Sequence, residues 1–384
     1  MRVWLCGLGL RYQCVWLQGL ADSTHGQVSL VDIRNVMWLG EITRGSCSMF
    51  GAKDSATQES RGGKLLQLRA LDWDTDGPFK NHASIVVYHP EPGQGNAWAN
   101  VGFHGWTGSI SGFSEKQLAM SEIGVSYPDA TFGKETYLAK GYPFSYIIRD
   151  MLQFDDTLAA ATNRITQATR TCDLILGVGD GKTNDFSGFQ CECAPHFFVS
   201  AFAAFRCALF SLPFADKDTL RGRRFAAHGS GDQVGGPPPG QPELAPEDKG
   251  RGLLGDGGPT APVVVHIASV ATYWSERKCA DAAQGRCLLT LIWCQDWICP
   301  NDNRMLAHQL QKLHGKITAE NTISDITSYV GTGDVHTIIY DHAGMKMFVA
   351  TARPDGGAGP LPAYQRQFTA LDMAALFAEK PPVL

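Results

Sequence analysis

The chain has 384 residues, 44% hydrophobic and 18% charged, with a formal net charge of -5. That balance suits a globular chain with one large core or two smaller ones. Its lysines and arginines are scattered without a basic stripe and no apolar run approaches the ~18 residues of a membrane span, so neither a nucleic-acid partner nor a transmembrane segment is expected.

Residues 1–27 form an N-terminal segment of their own, in which the short apolar stretch 3–10, interrupted by Arg11, makes a poor secretory signal. Residues 28–39 read as a helix or short connection leading into a strand around Cys47. A second strand-like run, Leu65-Leu66-Gln67-Leu68-Arg69-Ala70-Leu71-Asp72-Trp73, follows. Ile85-Val86-Val87-Tyr88-His89 is β-branched and strand-like, and Pro90 to Gly95 ends it in a turn. Glycines 102, 105, 108 and 112 suit paired strands in close approach, and residues 117–125 continue as another strand, completing an antiparallel layer.

Residues 142–168 predict two helices packed on that layer. Pro143 opens the first, Ile147, Ile148, Met151 and Leu152 recur at helical spacing, and Thr157-Leu158 opens the second. Residues 174–181 read as a strand and tight turn, and residues 197–210 are apolar enough to be buried. Residues 228–262, centred on Gly235-Gly236-Pro237-Pro238-Pro239-Gly240, cannot bury enough apolar surface to fold and read as a disordered insertion. A helix at 304–313, strands at 335–340 and 346–352, and an amphipathic helix at 371–377 close the chain, with the last strands returning to the first sheet. Residues 28–227 and 263–384 thus make one domain.

Eleven cysteines at irregular spacing leave at least one unpaired within the chain; the others read as disulfides of a secreted protein or as buried thiols. No Asn-x-Ser/Thr sequon is present. Cys191-x-Cys193-x-x-His196 lacks a fourth ligand at defined spacing, so no metal is expected, nor any other cofactor.

Cys47 carries the chemical signal. A cysteine attacks only as its thiolate, which needs a nearby cation and a base, and the strand after it supplies Arg69-x-x-Asp72. The same pair also reads as a surface ion pair, and residues three apart on a strand point to opposite faces. Gly45-Ser46 before Cys47 fits a strained, self-cleaving bond and equally an ordinary turn.

Taken in order, several motifs resemble one family. Cys47 followed by Arg69-Ala70-Leu71-Asp72-Trp73 resembles the N-terminal-nucleophile hydrolases with a cysteine nucleophile, the superfamily of choloylglycine hydrolases, penicillin acyltransferases and acid ceramidases. Gly141-Tyr142-Pro143-Phe144-Ser145-Tyr146, Thr169-Arg170-Thr171-Cys172, Gly315-Lys316-Ile317-Thr318, Thr332-Gly333-Asp334-Val335-His336 and Tyr364-Gln365-Arg366-Gln367-Phe368-Thr369 resemble its acid-ceramidase-like branch. The resemblance runs from about residue 28, apart from the Gly/Pro insertion and residues 278–300.

The resemblance implies an α+β fold of four layers, αββα, and cleavage before Cys47 that frees its α-amine to act as base. Arg69 would favour the thiolate, Asp72 would hold the new amine, and Glu122 would stand as an acidic residue beside the pocket. The asparagine of the bile-salt-hydrolase pattern is missing from the strand around Glu122, which leaves Asn301, with Asn303 as rival, to donate to the oxyanion. Phe103 and Trp106 are candidates for an acyl pocket and Arg366 for an ion pair anchoring the C-terminal segment. The activity implied is hydrolysis of a small-molecule N-acyl amide, a ceramide-like or N-acylethanolamine-like lipid. An acyltransferase or phospholipase-B-like lipase on the same fold and a non-catalytic binding descendant are the alternatives. A secreted or lysosomal location follows from the family alone, and the oligomeric state is unknown.

Overall fold

A computed structural model of the chain describes residues 11–37, 46–124, 142–168, 174–191, 198–199, 265–268 and 300–380. The chain separates into a unit of Met1–Phe205 with Val263–Leu384, which holds every described element, and a unit Arg206–Pro262. The expected insertion at 228–262 lies outside the described residues, as do Cys193 and His196 and most of 197–210.

Two helices come first, α1 (Arg11–Ser23) and α2 (Leu30–Met37). A six-stranded antiparallel sheet follows, ordered β10-β1-β2-β11-β12-β13. Its strands are β1 (Ser46–Ala52), β2 (Leu66–Asp72), β10 (Val265–Ala268), β11 (His336–Asp341), β12 (Lys346–Thr351) and β13 (Thr369–Asp372). The last strands return to the first sheet, as the sequence implies. The second sheet has seven strands in chain order: β3 (Ala83–Tyr88), β4 (Trp98–Phe103), β5 (Ser111–Ser114), β6 (Leu118–Gly124), β7 (Leu174–Asp180), β8 (Asp185–Cys191) and β9 (Phe198–Val199).

Strand alternation sorts each sheet into two faces. Ile338, Tyr340, Met347 and Val349 of the first sheet meet Ala99, Val101, Phe113 and Ala119 of the second in one buried cluster. Polar groups fasten this seam: Tyr340 Oη donates to the Met120 carbonyl at 3.1 Å, and Gln67 Nε2 donates to Ser121 Oγ at 2.7 Å. The sheets approach so closely that a Cβ on Gly177 would stand 2.7 Å from Met49 Sδ, which is why that position carries no side chain.

Helices cover both outer faces. Phe50, Leu66, Leu68 and Ile339 pack under Leu306 and Leu310 of α5 (Pro300–Lys312). Ile326 and Val330 join them from a helical run, Ala319–Asn321, Thr322–Thr327 and Ser328–Val330, whose middle segment is π-helical. On the other side, α3 (Phe144–Phe154) and α4 (Leu158–Gln167) bring Ile147, Ile148, Met151, Leu152, Ala161 and Ile165 onto Met120 and Val178. The architecture is therefore the expected αββα arrangement of two antiparallel sheets between helical layers.

Three local expectations shift. Pro143 stands just before α3 as its cap residue, not inside its first turn. The helix expected at 304–313 starts at Pro300, whose ring suits a first helical position. The helix expected at 371–377 begins only at α6 (Met373–Ala378), because Thr369–Asp372 pairs with β12 and the Asp372 carboxylate then caps the Ala375 amide at 3.0 Å.

Candidate active site

Cys47 and Arg69 share one face of the first sheet. Cys47 pairs with Leu71 and Met49 with Arg69 across β1 and β2, so two-residue alternation turns Cys47 and Arg69 the same way, toward the second sheet. Cys47 is buried at 3% exposure and is a free thiol; Arg69 is fully buried. The Arg69 guanidinium charge acts on the Cys47 sulfur, and the group donates to the Ala70 carbonyl at 2.6 Å and to Glu122 Oε2 at 3.3 Å, while its Nε finds no partner among the described residues. The carboxylate paired with Arg69 is therefore Glu122, not Asp72, and the reading of Arg69 and Asp72 as an ion pair of their own is set aside.

Asp72 faces the other way. It pairs with Ser46 in the ladder, so its side chain leaves the sheet on the face opposite to Cys47 and Arg69. Its Oδ2 accepts from Thr332 Oγ1 at 2.7 Å and its Oδ1 from the backbone amides of Gly333 and Asp334. Thr332 Oγ1 also lies 2.8 Å from Ser48 Oγ. The turn that delivers these donors follows a helix end: Gly331 and Gly333 take φ of 74° and 96°, and the Val335 amide then bonds to the Leu71 carbonyl.

Burial dominates the electrostatics. It pushes the Cys47 thiol up to about 11 against the attraction of the Arg69 charge, with Glu122 and Asp72 adding to the rise. Burial also opposes the charge on Arg69, but the cysteine thiolate and Glu122 more than offset it, and its pKa is raised. Asp72 is pushed up to about 6 by burial, which outweighs its hydrogen bonds from Gly333 and Thr332.

His336 is a neighbour that sequence reasoning gave no role. It lies in the row Cys47–Leu71–His336 on the inner face, bonds to Ser111 Oγ at 3.1 Å, and is held neutral by burial and by the Arg69 charge. Phe103 and Trp106 are buried in the same apolar cluster as Cys47, Leu71 and Val335. Asn301 falls in the first turn of α5, and its side chain and that of Asn303 lie outside the described residues. Arg366 anchors its segment by donating to the Thr351 carbonyl at 3.0 Å, in place of the expected ion pair. Among the described residues no cluster of His, Cys, Asp or Glu is suited to a metal, and no helix is long and apolar enough to cross a membrane.

No protein-family model matches the chain. Two curated proteins of Dictyostelium discoideum, dcd1B and dcd1A, are each 25% identical to it, over 375 and 374 residues covering 96% and 94% of the chain. The chain spans 59% and 66% of their lengths. Solved structures resemble it at lower identity. An N-acylethanolamine-hydrolyzing acid amidase ortholog of Caenorhabditis elegans is 13% identical, covering 77% of this chain and 93% of its own, with a TM-score of 0.42. Penicillin V acylase from Agrobacterium tumefaciens is 11% identical, covering 80% and 83%, at 0.39, and a mutant conjugated bile acid hydrolase from Clostridium perfringens is 12% identical, covering 85% and 93%, at 0.44.

Proposed function

We propose that the chain is a cysteine amidohydrolase of the N-terminal-nucleophile type, made competent by cleavage of the Ser46–Cys47 bond and acting on a linear N-acyl amide of the ceramide or N-acylethanolamine kind. One observation carries the reading: β1 and β2 set Arg69 beside the Cys47 sulfur on one face while Asp72 stands opposite Ser46 on the other.

In the intact chain the thiol is protonated and buried, and the nearby imidazole of His336 is engaged with Ser111. Cleavage supplies the missing base, since a free α-amine titrates near ~8 and sits on the nucleophile's own residue. That amine takes the thiol proton, the sulfur bonds to the acyl carbon, and the proton passes to the departing nitrogen as the C–N bond breaks. Water then opens the thioester by the same route. Arg69 favours the sulfur anion and Asp72 holds the amine in place. Leu71, Phe103, Trp106 and Val335, clustered with Cys47, suit an apolar acyl chain.

The test is the N-terminal sequence of the purified protein, followed by product masses after incubation with an N-acyl amide, a lysophospholipid and an amine acceptor. A chain beginning Cys47-Ser48-Met49 that releases free fatty acid from the amide is expected, with both events lost in Cys47→Ala. A fully active protein with residues 1–46 still attached by the peptide bond overturns the reading. Acyl transfer to the amine, or preference for the lysophospholipid, would place the chemistry with the alternative activities.

A further inference from the structure

Thr332 sits 260 residues from Asp72 in the chain, yet its buried hydroxyl touches both Asp72 Oδ2, at 2.7 Å, and Ser48 Oγ, at 2.8 Å. A hydroxyl has one proton to give, and the carboxylate is the stronger acceptor. Thr332 is placed to donate to either oxygen and with its one proton serves the carboxylate first, so that the contacts join Ser48, Thr332 and Asp72 in one chain. The two ends of that chain bracket the bond in question: Ser48 follows Cys47 in β1, and Asp72 pairs with Ser46. All three side chains lie on the sheet face opposite to the sulfur, the face on which Asp72 is the ladder partner of Ser46.

The turn leaves Thr332 little freedom. The Thr332 amide bonds to the Thr327 carbonyl at 3.2 Å and the Val335 amide to the Leu71 carbonyl at 3.0 Å. Gly333 is held at a φ of 96°, where an added Cβ would collide with Thr337 Oγ1. Both Asp72 oxygens are thus committed to donors from one rigid turn.

We propose that Thr332 is a positioning residue for cleavage of the Ser46–Cys47 bond, holding the Asp72 carboxyl in line to deliver a proton to the departing Cys47 nitrogen. This rests on the reading that the chain is cleaved there. The step balances with water. Cys47 Sγ bonds to the Ser46 carbonyl carbon and releases its proton to water, the C–N bond breaks as Asp72 protonates the nitrogen, and Asp72 regains a proton from water. Water then cleaves the thioester to a Ser46 carboxylate and a free thiol.

The experiment follows cleavage in freshly purified full-length chain by intact mass across pH 4 to 8, for wild type, Thr332→Val and Thr332→Ser, with thermal melts on each. Thr332→Val keeps the shape and removes the hydroxyl. It should slow cleavage about tenfold or more, the worth of one charge-assisted hydrogen bond, and move the pH midpoint upward because the carboxylate loses a donor. Thr332→Ser should recover most of the rate and the wild-type midpoint, which a purely structural role of the threonine would not restore. Cleavage of Thr332→Val at the wild-type rate and midpoint, or Thr332→Ser as slow as Thr332→Val with an intact melt, overturns the proposal while leaving the cleavage reading standing. A wild-type chain that is never cut at Cys47 overturns both.

Discussion

Asp72 and Ser46 are direct partners in the β1–β2 ladder, and the Asp72 carboxylate leaves the sheet on the face that the Cys47 sulfur does not occupy. Arg69, three residues earlier on the same strand, reaches the sulfur from the other side. The two halves of the Arg-x-x-Asp motif therefore face opposite sides of the sheet, Arg69 on the side of the Cys47 sulfur and Asp72 on the other, as strand alternation requires.

Burial raises the thiol, and the buried pair of Arg69 and Glu122 then pulls its acidity in two directions. Arg69 lowers the Cys47 pKa and Glu122 raises it, so the two partners should act in opposite directions when neutralised. Glu122→Gln should lower the thiol pKa and Arg69→Met should raise it, read from thiolate absorbance against pH in the folded protein. Each single change also breaks the buried Arg69–Glu122 pair, at a cost of ~3–5 kcal/mol, so both variants should melt well below wild type. Equal and same-signed pKa shifts in the two variants would break this account.

Gly333 is required by space as well as by backbone. Its φ of 96° disfavours any side chain, and a Cβ there would overlap Thr337 Oγ1 and press on the Ala70 Cβ at 3.3 Å. Gly333→Ala should cost ~2–3 kcal/mol in denaturant unfolding and, by displacing the amide bonded to Asp72, slow cleavage before Cys47. Adding Thr337→Ala should return part of the stability by removing the overlap, with the backbone strain still present. A double variant no more stable than Gly333→Ala alone would place the cost elsewhere.

The parts of this site that sequence reveals are those close together along the chain. Cys47, Arg69 and Asp72 lie on two successive strands, and the apolar alternation of residues 65–71 marks the second of them. The helices over the second sheet show themselves in the spacing of Ile147, Ile148, Met151 and Leu152. What escapes is long-range closure. Glu122 stands 53 residues from Arg69, and Thr332 260 residues from Asp72, and no local pattern pairs them. Thr332 and His336 belong to a motif that resembles the family, yet only packing against β2 gives either a role. Strand β8 was not anticipated because Asp185-Phe186-Ser187-Gly188-Phe189 mixes small and polar residues that read as loop.

The raised pKa of Asp72 makes the uncleaved chain respond to pH in a defined sense. A carboxyl whose folded-state pKa is about 6, against an ordinary value of 3.8, is favoured by folding in its protonated form. Its contribution is fully present below pH ~4 and is lost as pH rises through ~6, because the unfolded chain ionises first and more cheaply. Asp72→Asn removes this penalty while keeping an oxygen for the Gly333 and Asp334 amides, and Thr332 can turn its proton toward Ser48 to accept from the new amide. In a chain locked uncleaved by Cys47→Ala, the further change Asp72→Asn should raise the melting temperature at pH 7.5 and leave it nearly unchanged at pH 4. In a wild-type chain cut before Cys47 as proposed, the new ammonium would pair with the carboxylate, and cutting should raise the melting temperature more at pH 7.5 than at pH 4. Thermal melts of the locked pair at the two pH values decide the first point, and a destabilised locked Asp72→Asn at pH 7.5 would show that the carboxylate already has a cationic partner before cleavage.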